Sequence, residues 1–116
     1  INLYIHMKRL FFQEAYNQAL KSEMNFNHGA VLIRRGKIVG RGYNTYFNTN
    51  SNEKNSLHAE VSAILDGLKK ISHEDLKRCE LVIIRVNTQG EVVNSKPCDR
   101  CTKFINRWGI KKVYHS

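Results

Sequence analysis

Apolar residues recur at steps of three and four through the start of the chain: Leu3, Met7, Leu10, Phe11, Ala15 and Ala19. That spacing keeps them on one stripe of an α-helix, predicted over roughly residues 1–22. The pattern then changes. In "AVLIRRGKIVGRGY", residues 30–43, two apolar runs flank Arg35-Gly36, which reads as a β-hairpin with a tight turn. "NTYFNTNSNEKNS", residues 44–56, is rich in Asn and Ser and has no apolar period, so a long loop is predicted there. Loops of that length in compact domains are usually functional or mobile.

A second helix follows, with Val61, Ile64, Leu65 and Leu68 on its buried face. "ELVIIRV", residues 80–86, is a nearly continuous β-branched run, as in a central strand covered on both faces. A shorter helix begins around Cys98 and ends before Gly109, a residue placed to terminate it. "IKKVYH", residues 110–115, reads as the last strand. The predicted order is α-β-β-α-β-α-β, and a helix between two strands implies a right-handed parallel crossover. The pattern shows no internal repeat, low-complexity tract or linker.

Composition changes this picture little. The 116 residues suit one domain, and 41% apolar with 25% charged residues is ordinary for a soluble globular one. No apolar run approaches the roughly 20 residues that span a bilayer, and no signal-peptide pattern opens the chain. No membrane partner is expected. Charge says more. Nineteen Lys and Arg against ten Asp and Glu leave a formal charge of +9, which favours anionic partners such as nucleotides or nucleic acid, or simply makes a solvated basic surface. The cysteine count is odd, with Cys98 and Cys101 in a C-x-x-C and Cys79 apart. This argues against a disulfide framework and for a reducing, cytoplasmic setting.

Two short stretches carry the candidate chemistry: "SLHAEVSAIL", residues 56–65, and "SKPCDRC", residues 95–101. At i and i+3 at the start of a helix, Cys98 and Cys101 lie on nearly the same side and can reach one metal. Pro97 pre-sets the backbone just before them, and the positive helix end favours thiolates. Thiolates with an imidazole at tetrahedral spacing select zinc. The plain alternatives are a redox C-x-x-C or two packing cysteines. His58 and Glu60, two residues apart, cannot share a lateral helix face. They can converge on a metal over the end of the helix, with His58 binding it and Glu60 alongside. Otherwise they are a partly buried His and a Glu favoured by the helix end. Three protein ligands leave an open position, the mark of a catalytic site. A fourth from Cys79, His28, His73 or His115 would close it into a structural one.

H-A-E followed by S-x-P-C-x-x-C in this order of elements resembles the zinc-dependent cytidine deaminase superfamily, whose signature is H-x-E…P-C-x-x-C. "HGAVLI", "GRGYN" and "SLHAEV" are most similar to its cytidylate/deoxycytidylate and tRNA-adenosine branch. The resemblance implies a three-layer α-β-α fold, a mixed sheet with an N-terminal β-hairpin and parallel crossovers, and a single CMP/dCMP-type deaminase domain over residues 1–116. The branch usually continues with a fifth strand and further helices; this sequence stops just after the fourth strand. The resemblance also implies zinc held by His58, Cys98 and Cys101, with Glu60 as the proton shuttle. The Ala59 N–H would meet a base carbonyl, the Ser95 carbonyl would accept from the exocyclic amine, and Asn44 would contact sugar or base.

The activity so implied is hydrolytic deamination of a cytosine nucleotide or nucleoside, by a protein that self-associates as its relatives do. Two alternatives stand beside it. One is a noncatalytic zinc module in a larger assembly, against which Glu60 counts. The other is a deaminase acting on a base in RNA or single-stranded DNA, whose backbone basic residues would track. "GKIVGRG" sits in a hairpin rather than before a helix and no G-K-[ST] loop occurs, so no cofactor besides zinc is indicated.

Overall fold

The first helix, α1 (Leu3–Ala19), leads into the hairpin of β1 (Asn27–Arg34) and β2 (Lys37–Tyr43). A short arm follows, β3 (Thr45–Asn48) and β4 (Lys54–Leu57), then α2 (Ala59–Gly67) and a 3₁₀ segment (Glu74–Arg78). The chain finishes with β5 (Glu80–Val86), β6 (Val92–Val93), α3 (Asp99–Arg107) and β7 (Lys112–His115). This computed structural model describes residues 3–24, 26–48, 54–97 and 99–116, with side chains described within 9–24, 26–46, 57–97 and 99–116. Among the described residues no helix is long and apolar enough to cross a membrane.

The sheet runs β2-β1-β5, antiparallel throughout. On the free side of β5, β7 pairs in parallel along Glu80–Ile83 and β6 pairs antiparallel at Arg85 and Val86. The predicted hairpin turn is present: Arg35 (φ 51°) and Gly36 (φ 73°) both lie in the left-handed region, which a two-residue turn matched to strand twist requires. The crossover from β5 through α3 to the parallel β7 is present too. The helix ends as its glycine implies. Gly109 has φ 84°, its N–H donates to the Asn106 carbonyl, and that of Ile110 donates to Ile105. Orphan carbonyls of the last turn are thereby satisfied.

Side-chain alternation divides the core into two. Ala30, Leu32, Leu81 and Ile83 face α2 and α3, meeting Ala63, Ile64 and Ile105. Val31, Ile33, Val82, Ile84 and Val86 face the other way, onto Ala15 and Ala19 of α1. The central strands are therefore covered on both faces, and the architecture is α1 against sheet against α2 and α3. Leu32, Leu81 and Ile83 are almost wholly buried, and truncating such a side chain to Ala costs about 2–5 kcal/mol.

Four expectations need correction. Residues 44–56 are not simply a loop, because β3 and β4 pair in register from Thr45↔Leu57 to Asn48↔Lys54. That two-stranded arm lies outside the main sheet, so its strands need no buried apolar period. Leu10, assigned to the buried face of α1, is 57% exposed, while Phe12 and Tyr16 join Phe11 against the sheet; the side chains of Leu3 and Met7 lie outside those described. Leu65 is 46% exposed. Ile64 is wholly buried as expected, and beside it the inward face of α2 carries a small-residue stripe, Ala59, Ala63 and Gly67, at steps of four. A Cβ on Gly40 or Gly42 of β2 would collide with the backbone of α2 at Ala63 and Ser62, so closeness of backbones, not bulk, decides that contact. Finally, the 3₁₀ segment and β6 were not anticipated; both are too short to leave a period.

Candidate active site

The first turns of α2 and α3 meet at one end of the sheet. His58 is the N-cap of α2, with extended backbone (φ −71°, ψ 150°) and no capping hydrogen bond from its side chain. Its ring is therefore free to turn away from the helix, while Glu60, already inside the first turn, is directed inward and is 5% exposed. The two need not share a helix face because only one of them is in the helix. The first intrahelical bond of α2 runs from the Ser62 N–H to the His58 carbonyl. The N–H groups of Ala59 and Glu60 thus lack intrahelical acceptors and leave positive potential over the helix end.

Cys101, buried in the first turn of α3, brings its Sγ to 2.8 Å from Nδ1 of His58. Ligand atoms of His58, Glu60 and Cys101 all lie within 4.8 Å of one another, among the described residues the one such group of His, Cys, Asp or Glu. Cys98, the other expected thiolate, lies outside the described residues. Imidazole and thiolate suit zinc better than magnesium or calcium, which prefer oxygen. Two ligands of one tetrahedral zinc sit about 3.6 Å apart by its usual bond lengths, so His58 and Cys101 need part by less than 1 Å. The residues present fit the metal.

The four candidates for a closing ligand stand elsewhere. Cys79 is buried in the core with its thiol on the Asp75 carbonyl, and burial raises its pKa. His73 stacks on Trp108, ring centroids 5.0 Å apart. His115 lies exposed on β7, its ring at the Ser116 carbonyl. His28 lies near Glu60 but outside the ligand group.

His58, Glu60 and Cys101 form one wall of a cavity of about 400 Å³, within the range of small-molecule sites. Asn44, Ala59 and Ser95 also line it, so every described residue singled out for substrate contact reaches the same space. Ser95 is fixed from three sides. Its N–H donates to the Ser116 carbonyl, its hydroxyl donates to Ile83, and the Ser116 N–H donates to that hydroxyl. Asn44 is different, because its amide is occupied within the protein. It donates to the Phe26 carbonyl (2.6 Å) and accepts from the His28 N–H (2.7 Å).

Met24, Phe26, His28, Tyr46, Lys96 and Pro97 also line the cavity. His28 had entered the sequence argument as a possible metal ligand. Its signal is parity: Phe26 and His28 share the strand face of Ala30 and Leu32, the face turned toward α2. Burial pushes the His28 pKa down; Glu60 opposes this, and Arg85 and His58 add to it.

The family described as "Cytidine and deoxycytidylate deaminase zinc-binding region" matches residues 6–116. Solved structures of the same fold include the dCMP deaminase of the cyanophage S-TIM5, with TM-score 0.68 and 24% identity over 95% of this chain and 82% of that one. The cytidine deaminase of Mycobacterium tuberculosis aligns with TM-score 0.59 and 18% identity, covering 94% of this chain and 83% of that one. A diaminohydroxyphosphoribosylaminopyrimidine deaminase/reductase from Thermotoga maritima aligns with TM-score 0.64 and 27% identity over 95% of this chain but 29% of its own length. No curated protein matches the chain.

Proposed function

From the premise that the chain belongs to the cytidine and deoxycytidylate deaminase zinc-binding family, we propose that it is a zinc-dependent hydrolase that deaminates a cytosine nucleotide or nucleoside. The observation that carries this reading is the convergence of His58, Glu60 and Cys101, from two helix N-termini, on one cavity. A noncatalytic zinc module has no use for a buried carboxylate beside the ligands. The cyanophage dCMP deaminase has also been solved in complex with dCMP and dUMP, which supports a pyrimidine nucleotide here.

His58, Cys98 and Cys101 would hold the zinc, which would lower the pKa of a bound water and so supply hydroxide near neutral pH. Glu60 moves two protons. It takes one from the attacking water and gives it to the ring nitrogen beside the reacting carbon. It then carries the proton of the new hydroxyl to the amine, which leaves as ammonia while the carbon–oxygen double bond forms. The Ala59 N–H, which has no helical acceptor, would meet the base carbonyl, and the Ser95 carbonyl would accept from the exocyclic amine. The cysteines act as thiolates, which suits a reducing compartment. Residues 1–116 act as one deaminase domain, and self-association is expected by analogy with relatives.

A second reading, deamination of a base within single-stranded RNA or DNA, is favoured by one observation. Arg100, Lys103 and Arg107 are exposed along one side of α3, which starts at the cavity. Among the described residues no carboxylate pairs with them. Ammonia release from cytidine, deoxycytidine, CMP, dCMP and oligonucleotides tests both readings. Release from the monomers supports the first, release from oligonucleotides alone the second, and none from any substrate removes the enzyme reading.

A further inference from the structure

The cavity wall formed by Met24, Phe26 and His28 is held in place by Asn44. Beyond its bonds to Phe26 and His28, the Asn44 amide nitrogen lies 3.3 Å from the Met24 sulfur. Its backbone N–H donates to the His28 carbonyl, and its own carbonyl accepts from the Ser22 hydroxyl. Asn44 is 6% exposed, and both donors and one acceptor site of its side chain are used by this wall. An amide so committed fixes the shape of the cavity and has little left to offer a substrate.

His28 is the polar side chain that this wall presents to the cavity. It pairs across the sheet with Arg85, whose guanidinium sits 4.4 Å from the centre of the Phe26 ring. Among the described residues no carboxylate pairs with Arg85, so its charge stands behind the wall and opposes a second positive charge on His28. Burial is the main cause that lowers the His28 pKa; Glu60 opposes it and Arg85 adds to it, which favours the neutral imidazole. A neutral imidazole donates from one ring nitrogen and has only a lone pair to offer at the other. A cytosine base has one donor group, the amine that leaves, and that edge belongs at Glu60. The donors that remain on a nucleotide are the sugar hydroxyls.

We propose that His28 is a specificity-determining residue that accepts a hydrogen bond from a sugar hydroxyl of the substrate, the role that Asn44 gives up by holding the wall. The proposal rests on the reading of the substrate as a pyrimidine nucleotide or nucleoside, but not on turnover. A nucleotide lacking the hydroxyl leaves the half-buried acceptor unpaired, at a cost of about tenfold in affinity.

The test is calorimetric binding of uridine 5′-monophosphate and its 2′,3′-dideoxy analogue to the zinc-loaded full chain. Both are product-like and bind without reacting. The wild type should bind the hydroxylated ligand about tenfold more tightly. In His28→Val the two should bind within about twofold of each other, through loss on the hydroxylated ligand. His28→Gln, which keeps an acceptor, should recover part of the preference. Equal wild-type affinities overturn the proposal even if His28→Val does not fold. So does a preference that survives His28→Val, or no binding of the hydroxylated ligand at all. If the binding preference behaves as stated but no substrate releases ammonia, the enzyme reading falls and the assignment of His28 stands.

Discussion

Nδ1 of His58 lies 2.8 Å from Sγ of Cys101, although 43 residues separate them. The contact joins the start of α2 to the start of α3, on the side of the sheet away from α1. A shared metal would account for an imidazole and a buried thiol from two helices meeting there. We expect about one zinc per chain after purification without added metal. Cys101→Ser and His58→Ala should each lose most of it and melt earlier, because ligand loss couples to stability in a small domain. Elemental analysis decides; iron, or a stoichiometry near zero in the wild type, rules zinc out. Cys79→Ser should keep the metal.

The site depends on how closely α2 approaches β2. A methyl group on Gly42 meets backbone atoms at Ala63 and the Cβ of Ser62, none of which can swing aside. Gly42→Ala should therefore push α2 outward, carrying His58 and Glu60 with it. Overpacking of this kind costs about 1–3 kcal/mol. Thermal melting and zinc content should fall together. A variant with wild-type melting and full zinc would show that the helix has slack.

Asp75 anchors the 3₁₀ segment to the end of β1. Its carboxylate lies 2.8 Å from the Arg34 guanidinium and also accepts from the Ser72 hydroxyl. Arg34 is the main reason its pKa is lowered. A carboxylate with a depressed folded-state pKa stabilises the fold above its unfolded value, about 3.9, and that contribution is lost as pH falls through the folded value. Asp75→Asn should melt below the wild type at pH 7, and the gap should close as pH drops below 4. A gap that does not change with pH would mean that the effect is steric.

The sequence made some of this legible because the signals are local. The turn at Arg35-Gly36, the helix end at Gly109 and the alternation within 80–86 each follow from a few adjacent residues. The meeting of His58, Glu60 and Cys101 was accessible for another reason: H-x-E and P-C-x-x-C each have a plain alternative alone, and a shared metal is the reading that joins them. The β3–β4 arm left no buried period to read. The inward stripe of α2 was missed because Ala59, Ala63 and Gly67 are small, and Leu65 outweighs them on any hydrophobicity pattern. The place of His28 follows from strand parity, which became meaningful once the register with Arg85 was known. The occupation of Asn44 by Phe26 and His28 is a tertiary fact with no trace in spacing.

Lys96 is exposed at the cavity and carries no carboxylate partner among the described residues. A phosphate is a natural counter-charge for it, and the net charge of +9 adds long-range attraction. We expect kcat/KM for dCMP to exceed that for deoxycytidine, with the difference shrinking in Lys96→Ala and at high salt. Equal values for the two substrates in the wild type would remove the phosphate from the recognition scheme.

Glu60→Gln separates chemistry from architecture. The substitution keeps the shape of the side chain and its capacity to accept a hydrogen bond, but an amide cannot take a proton from water at neutral pH. If Glu60 is the proton shuttle, zinc content and melting temperature should change little, while deamination falls by the roughly 10²- to 10⁴-fold that general acid–base catalysis contributes. Its neighbours sharpen the comparison. Glu60 lies within 4.8 Å of the His58 and Cys101 ligand atoms, close enough to be a metal ligand itself. Were it one, Glu60→Gln would lose zinc along with activity, and the two losses would track each other across a zinc titration. Loss of activity at full zinc occupancy assigns the carboxylate to proton transfer. Activity that returns with excess zinc assigns it to the metal, and the proton route proposed above would have to be abandoned.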